Sequence, residues 1–193
     1  MVPWILFGYA IGSVPFAYLV ARRAGIDVRV AGSGNVGAAN VLRTTGTPLG
    51  VMVMSLDIAK GAAAVLFAHL GSGTIASMTA AGAAAIVGHI YPVWLRFHGG
   101  KGVAVAAGAF AVLAPVAAAI AAAVFLATVW ATRLMSLASV VATLTLPSAV
   151  WLTGSPPAVV IASVGACTLI LFRHRANLRR LLRGTERRVG ERA

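Results

Sequence analysis

Residues 103–132 read VAVAAGAFAVLAPVAAAIAAAVFLATVWAT, a charge-free stretch with a proline, Pro115, near its middle. As a single membrane crossing, this stretch would place the basic segments before it and after it on opposite faces of the membrane. Two crossings with a turn at residues 114–115 place them all on one face, as the positive-inside rule favours. We therefore predict two helices, the first of which, residues 103–113, is short or re-entrant because it cannot span a full bilayer.

The composition of the whole chain is that of a membrane protein. Of its 193 residues, 60% are hydrophobic and 10% are charged, and the mean hydropathy is +0.91. A soluble domain needs about 25% charged residues to cover its surface. Further turns are indicated by glycine and proline at residues 71–73 and 154–157. We predict an all-α polytopic membrane protein with about seven transmembrane helices in a single domain, residues 1–193.

The basic residues collect between and after the apolar runs. The chain has 16 Lys+Arg against 4 Asp+Glu, a formal net charge of +12. In a soluble protein this excess would suggest nucleic acid, but its placement is typical of cytoplasmic loops, and no nucleic-acid partner is expected. The turns assigned to the outer face carry no charge. We predict the N-terminus outside, the C-terminus with its basic tail (174–193) in the cytoplasm, and every polar segment on the cytoplasmic face of the inner membrane.

The first polar segment (residues 31–43) reads AGSGNVGAANVLR. It contains G-x-G-x-x-G at Gly32, Gly34 and Gly37, but the dinucleotide fingerprint requires a preceding strand and a βαβ unit, and here membrane spans flank the motif. A glycine-rich segment still offers backbone N–H groups to an anion, and Arg43 can hold phosphate oxygens through two hydrogen bonds. This pattern favours an anion-binding segment over a simple turn.

Two further polar segments follow. The glycine loop (residues 99–102, GGKG) is not a P-loop, because no Ser or Thr follows Lys101, but its bare backbone and ammonium can approach a phosphate closely. The C-terminal polar segment (residues 174–186) begins with His174, which shares a helix face with Asn177 and titrates near neutral pH. An interfacial helix that binds anionic lipid is a second interpretation of this segment, compatible with the first.

Asp57 and Lys60 are ionisable residues within an apolar run. Intramembrane charges mark functional sites by default, whereas an ion pair at this spacing can also simply neutralise itself, and the sequence leaves both interpretations open. The single cysteine, Cys167, excludes a disulfide framework within one chain. The distribution of His, Cys and carboxylates predicts neither a metal site nor a cofactor.

The segments as a set resemble the bacterial acyl-phosphate:glycerol-3-phosphate acyltransferases, the PlsY family, over most of the chain. The resemblance lies in GSVPFAY at 12–18, the first polar segment, GHIYPVWLRFHGGKGVA at 88–104, TRLMSLAS at 132–139, and in the C-terminal segment at His174, Asn177, Arg180, Gly184 and Glu186. Three positions depart from the usual family pattern: Ala39 and Val105 replace threonines, and His98 replaces a lysine.

The resemblance implies that the 1-hydroxyl of sn-glycerol 3-phosphate attacks the carbonyl of a long-chain acyl phosphate, which yields 1-acylglycerol 3-phosphate (lysophosphatidic acid) and phosphate. This reaction begins phospholipid biosynthesis. Because the acyl phosphate is a mixed anhydride with a good leaving group, no covalent acyl-enzyme is expected, and the protein's task is to align and neutralise two anions.

The resemblance also assigns roles to individual residues. Five residues are expected to cradle the acyl-phosphate head: Gly99, Gly100, Lys101, Gly102 and Ser136. Glycerol 3-phosphate is expected to contact Ser33, Arg43 and Lys101, and Asn35 is expected to bind substrate. The residues expected at the reacting centre are Lys101, His174 and Asn177. The general base is either His174 or a substrate phosphate oxygen.

Two other functions are weighed against the acyltransferase. A small organic-anion transporter would explain the spans, the glycine-rich loops and Asp57, but it requires a polar path to the other face, where the predicted turns are uncharged. A lipid-binding scaffold would explain the basic tail but not the glycine loop. The expected partners are the two substrates and membrane lipids, and the sequence is compatible with a monomer.

Overall fold

The computed structural model describes residues 1–190, and every regular element within them is helical. The elements in chain order are α1 (Val2–Ser13), α2 (Phe16–Arg23), α3 (Ala38–Thr45), α4 (Thr47–Ser72), α5 (Ile75–Ile90), α6 (Val103–Leu113), α7 (Pro115–Thr132), α8 (Met135–Leu152), α9 (Pro157–Arg173) and α10 (Arg175–Leu182). A 3₁₀ turn, Val93–Leu95, follows α5. The last three residues of the predicted basic tail, 191–193, lie outside the described residues.

Five helical stretches are long and apolar enough to cross a membrane. They are Val2–Arg23, which joins α1 and α2, and the stretches Thr47–Ser72, Ile75–Leu95, Pro115–Thr132 and Met135–Leu152. The pair α9 and α10 is a sixth candidate, bent by 60° where the helices meet at His174. The prediction of an all-helical polytopic membrane protein is confirmed, while seven crossings and the orientation of the termini stay predictions.

The stretch around Pro115 forms two helices. Ala114 leaves the helical conformation at φ −150° and ψ 72°, and Pro115 begins α7, where a residue without an N–H loses no hydrogen bond. Helix α6 has 11 residues, which at the α-helical rise is about 16 Å, roughly half of the hydrocarbon thickness. The short helix predicted after Gly102 is therefore present.

Small residues hold the short helix close to α4. A side chain added at Gly61 would collide with the backbone of Val105, and one added at Gly108 would collide with the carbonyl of Ile58. Such contacts between glycines and a facing backbone allow membrane helices to pack closely. As a result, the glycine loop, which ends where α6 begins, lies beside the middle of α4.

The main core lies where α5, α6, α8 and α9 meet. Each of these helices contributes a fully buried apolar side chain to it: Ile90, Phe110, Val150 and Ile170. By contrast, α7 has a single buried residue, Ala117. Helix α7 is thus mostly exposed on the outside of the bundle, as expected for a lipid-facing helix.

Candidate active site

A cavity of about 830 Å³ joins the polar segments that lie far apart in sequence. Nine of the ten predicted site residues line it: Ser33, Asn35, Arg43, Gly99, Lys101, Gly102, Ser136, His174 and Asn177. The tenth, Gly100, lies against the imidazole of His89. The apolar end of the cavity reaches α6, α7 and α8 at Phe110, Phe125 and Leu146. The cavity thus has cationic side chains at one end and an apolar channel at the other.

Lys101 is held by a chain of side-chain hydrogen bonds from the C-terminal polar segment. Its Nζ donates to Oδ1 of Asn177 at 2.6 Å. Nδ2 of Asn177 donates to Oε1 of Glu186 at 2.9 Å, and Nε of Arg180 donates to Oε2 of Glu186 at 2.6 Å. Because the carboxylate can only accept, it fixes the Asn177 amide with its oxygen towards the lysine.

Lys101 is a cation at neutral pH although its surroundings lower its pKa. Burial lowers the pKa of Lys101 to about 8; Glu186 opposes the shift, and the arginines Arg180, Arg43 and Arg173 add to it. At pH 7 the ammonium is therefore still predominantly protonated. Its positive charge is available to an anion in the cavity.

His174 presents a nitrogen that can accept a proton. His174 is 2% exposed and follows the last residue of α9, at the start of the predicted basic tail (174–193). Nδ1 lies 2.8 Å from the carbonyl oxygen of Ile170, and because a carbonyl only accepts, Nδ1 carries the proton and Nε2 does not. Burial and the charge of Lys101 lower the pKa of His174 to about 4, so the ring is neutral at pH 7. A neutral imidazole in this tautomer can accept a hydrogen bond or a proton at Nε2, and the role of His174 as general base stays a prediction.

Glu186 belongs to the site although it was not among the predicted site residues. Its side chain is 2% exposed. Burial would raise the pKa of Glu186, but hydrogen bonds from Arg180 and Asn177 outweigh it and hold the pKa below the ordinary value. The signal available in the sequence was a lone acid among the arginines of the C-terminal polar segment, at a position that matches the family pattern.

The glycine loop is tied to neighbouring backbone. The N–H of Gly99 donates to the carbonyl of Ile90, and the N–H of Gly100 donates to the carbonyl of His89, each at 3.1 Å. Nη2 of Arg173 donates to the carbonyl of Gly99 at 3.1 Å. Gly102, at φ +93°, is the N-cap of α6. The amides of the first turn of a helix have no intrahelical partner, so the open donors lie at the start of α6.

The first polar segment is organised by an asparagine. Oδ1 of Asn40 accepts from the N–H of Ser33 at 2.9 Å, and its Nδ2 donates to the carbonyls of Val28 and Ala31, both at 3.0 Å. The segment then continues into α3, which carries Arg43 to the cavity. Nη2 of Arg43 also lies 3.5 Å from the carbonyl of Arg187, so the C-terminal tail reaches this segment.

Asp57 and Lys60 form an ion pair inside the protein. Lys60 Nζ lies 2.9 Å from Asp57 Oδ1, and both side chains are 2% exposed. The pair neutralises itself, as one of the two interpretations proposed. It is also close to the site, because Asp57 and His89 both contribute to the cavity wall.

Comparison with known proteins gives a consistent result. The family model described as glycerol-3-phosphate acyltransferase matches residues 2–184. A glycerol-3-phosphate acyltransferase of Sinorhizobium medicae (strain WSM419) is 47% identical over 97% of this chain and 91% of the relative. The same enzyme of Rubrobacter xylanophilus is 46% identical over 98% of this chain and 95% of the relative.

Two solved structures share the fold. A crystal structure of PlsY (YgiH), an integral membrane glycerol 3-phosphate acyltransferase, in its glycerol 3-phosphate form superposes with a TM-score of 0.93, at 39% identity over 98% of this chain and 95% of that chain. A second, in its lysophosphatidic acid form, gives a TM-score of 0.90 at 39% identity, over 97% of this chain and 94% of that chain.

Proposed function

Because this chain belongs to the glycerol-3-phosphate acyltransferase family, we propose that it moves a fatty acyl group from acyl phosphate to the 1-hydroxyl of sn-glycerol 3-phosphate. The products are 1-acylglycerol 3-phosphate and inorganic phosphate. Family, relatives and structural neighbours are all acyltransferases, so the chain is an acyltransferase and the organic-anion transporter is set aside. The reaction takes place at the cytoplasmic face of the inner membrane.

One cavity joins clustered cations to an apolar channel, and this observation carries the proposal. A long-chain acyl phosphate has one anionic end and one apolar end, and this cavity accommodates both. The acyl chain lies between α6, α7 and α8, and the phosphate lies beside Lys101 at the start of α6. Glycerol 3-phosphate, which has no apolar tail, lies at the polar end against Ser33, Asn35 and Arg43.

The phosphate of the donor is placed at a helix N-terminus. Gly102, Val103 and Ala104 all line the cavity where α6 begins, and first-turn amides together with the helix dipole favour an anion there. Lys101 adds its ammonium next to them. Gly99 and Gly100 contribute by shape, since their own amides already donate to backbone carbonyls.

In the reaction, the glycerol 1-oxygen forms a bond to the acyl carbonyl carbon, and the bond from that carbon to the bridging phosphate oxygen breaks. The electron pair leaves with the phosphate, whose charge Lys101 stabilises. The hydroxyl proton passes to Nε2 of His174 or to a phosphate oxygen of a substrate. Asn177 keeps Lys101 in place through the hydrogen bond between them. Alignment of the two substrates supplies much of the rate enhancement.

Phosphate release from palmitoyl phosphate tests this proposal. Purified protein in lipid nanodiscs is assayed with and without glycerol 3-phosphate, beside Lys101→Ala and a control, Arg22→Ala, whose arginine is exposed and lies outside the cavity. We expect release that depends on glycerol 3-phosphate, a loss of about 100-fold or more in Lys101→Ala, and no change in Arg22→Ala. Folded wild-type protein without release, or release that does not depend on glycerol 3-phosphate, would contradict the proposal.

A further inference from the structure

Asp57, Lys60 and His89 form a buried cluster next to the glycine loop. Nδ1 of His89 lies 3.6 Å from Oδ1 of Asp57, the oxygen that also faces Lys60. The His89 side chain is 8% exposed. Buried charges are costly unless they are paired, and Lys60 supplies that pairing for Asp57. Neutralisation of the Asp57 charge therefore explains why Lys60 is buried here, but it does not explain why His89 is.

Lys60 ties this cluster to the first membrane span. Its Nζ donates to the carbonyl of Val14 at 2.8 Å, where the chain breaks between α1 and α2. The same Nζ lies 5.5 Å from the centre of the Phe16 ring, a favourable distance for a cation over an aromatic face. The cluster is thus anchored to the break between α1 and α2.

His89 supports the glycine loop directly. A side chain added at Gly100 would collide with Nε2 of His89, and one added at Gly99 would collide with the His89 carbonyl. The N–H of Gly100 donates to that carbonyl at 3.1 Å. The ring and the backbone carbonyl of His89 therefore pack directly against Gly99 and Gly100, the two glycines before Lys101.

Asp57 determines which edge of the imidazole faces the loop. Its Oδ1 is fully buried and, among the described residues, receives no well-directed hydrogen bond. Nδ1 of His89 is a donor that needs only a small shift to supply one. A rotation that took Nδ1 away would leave the buried oxygen with Lys60 alone. With Nδ1 towards Asp57, Nε2 remains against Gly100, as observed.

Resting on the proposed function, we propose that Asp57 and His89 are positioning residues for the glycine loop and act on the reaction through Lys101. Lys60 balances the charge of Asp57 and anchors the pair to the break in the first span. The cluster sets where the ammonium of Lys101 stands when the acyl phosphate arrives. Loss of the His89 ring lets the loop shift, and the ammonium no longer meets the leaving phosphate.

A double-mutant cycle with palmitoyl phosphate and glycerol 3-phosphate tests the proposal. His89→Ala is expected to lower kcat/KM for palmitoyl phosphate by about 10- to 100-fold, as small misplacements of a reacting group do. In the Lys101→Ala background the same change is expected to cost less than about threefold, because the group being positioned is absent. His89→Asn, whose amide can donate to Asp57, is expected to recover part of the activity. The control is His69→Ala, at an exposed position near the end of α4, which is expected to behave as wild type.

Either of two results would overturn the proposal: wild-type constants in His89→Ala, or an equal loss from His89→Ala in both backgrounds. The second would mean a general structural defect that does not act through Lys101. A wild-type protein that shows no glycerol 3-phosphate-dependent turnover would instead defeat the proposed function, so the two failures are distinguishable.

A second variant keeps the test valid if His89→Ala does not fold. Asp57→Leu/Lys60→Met removes both buried charges and keeps the apolar volume, a replacement that proteins often tolerate. The folded double variant retains His89 without its carboxylate. We expect the same loss of about 10- to 100-fold in kcat/KM for palmitoyl phosphate, measured per folded protein. Full activity of this variant would overturn the proposal.

Discussion

Lys60 and Lys101 are the two lysines of the chain, and each is held by a different kind of partner. Lys60 contacts the carboxylate of Asp57 directly, within α4. Lys101 contacts the neutral amide of Asn177, and the amide separates it from the carboxylate of Glu186. A carboxylate partner cancels the charge of a lysine, whereas an amide partner orients the lysine and leaves its charge for a substrate. The contrast agrees with the structural role of Lys60 and with the functional role that we propose for Lys101.

The largest effect is expected on stability, from loss of the Lys60 charge. Lys60→Met leaves Asp57 buried and unpaired, which is expected to cost about 3 kcal/mol or more in the free energy of unfolding. Lys101→Met, at the cavity, is expected to change that free energy by less than about 1 kcal/mol while activity is lost. Denaturant titrations of both variants in the same lipid would measure this. Equal destabilisation by the two substitutions would contradict the proposed difference between the roles of Lys60 and Lys101.

Conversion of the amide into a carboxylate would give Lys101 the kind of partner that Lys60 has. Asn177→Asp is expected to lower kcat/KM for acyl phosphate by about 100-fold, since it cancels the ammonium charge and repels the incoming anion. Asn177→Ala, which removes the tether but adds no charge, is expected to lose less. Steady-state kinetics of the two variants would decide, and an Asp variant as active as the Ala variant would contradict the account.

Removal of the Glu186 carboxylate tests how far this group maintains the charge of Lys101. The Glu186 carboxylate raises the pKa of Lys101 against the effect of burial, so Glu186→Gln is expected to lower that pKa further. A drop of about one pKa unit would reduce the protonated fraction of Lys101, and with it the activity at pH 7, by about twofold. Activity should recover in part at lower pH, where the lysine is again protonated. A loss that is the same at every pH would show that Glu186 acts only by holding Asn177.

The smallest effect expected is on the pH profile of the wild-type enzyme. Because burial lowers the pKa of Lys101 to about 8, its ammonium is lost as pH rises through that value, and kcat/KM for acyl phosphate is expected to fall above it. Lys101→Arg, which stays protonated, should retain its own lower activity across the same range. The pKa of His174, lowered to about 4, predicts no limb from this histidine between pH 5 and 8. An alkaline limb that persists in Lys101→Arg would have to come from another group.

Much of the fold could be predicted, because each membrane span is a continuous apolar segment of the sequence. Hydropathy indicated where the spans lie, and the glycine- and proline-rich turns indicated where they end. The positive-inside rule predicted that residues 103–132 form two helices. The same rule placed the polar segments on one face, and nine of ten predicted site residues do line one cavity. Helix α3 was not predicted, because residues 38–45 follow a glycine-rich stretch that reads as a loop.

The hydrogen bonds within the site could not be predicted, because they join residues that are distant in sequence. The bond from Lys101 to Asn177 spans 76 positions, and no local pattern shows that Glu186 is buried while Arg183, Arg187 and Arg188 are exposed. The roles of Gly99 and Gly100 depend on carbonyls of α5 that their amides reach only in the fold. The positioning role that we propose for Asp57 likewise rests on its neighbour His89, which is far from Asp57 in sequence and lies beside it in the fold.

The most direct test of the account is the amount of 1-palmitoylglycerol 3-phosphate made from palmitoyl phosphate and glycerol 3-phosphate, measured by mass spectrometry together with released phosphate. Wild-type protein, Lys101→Met and Lys60→Met/Asp57→Leu are compared at equal folded concentration in nanodiscs. We expect one product per phosphate in wild type, a loss of about 100-fold or more in Lys101→Met, and an intermediate rate in the double variant. Product formation by Lys101→Met at the wild-type rate would contradict the claim that the free charge of Lys101 serves the transfer.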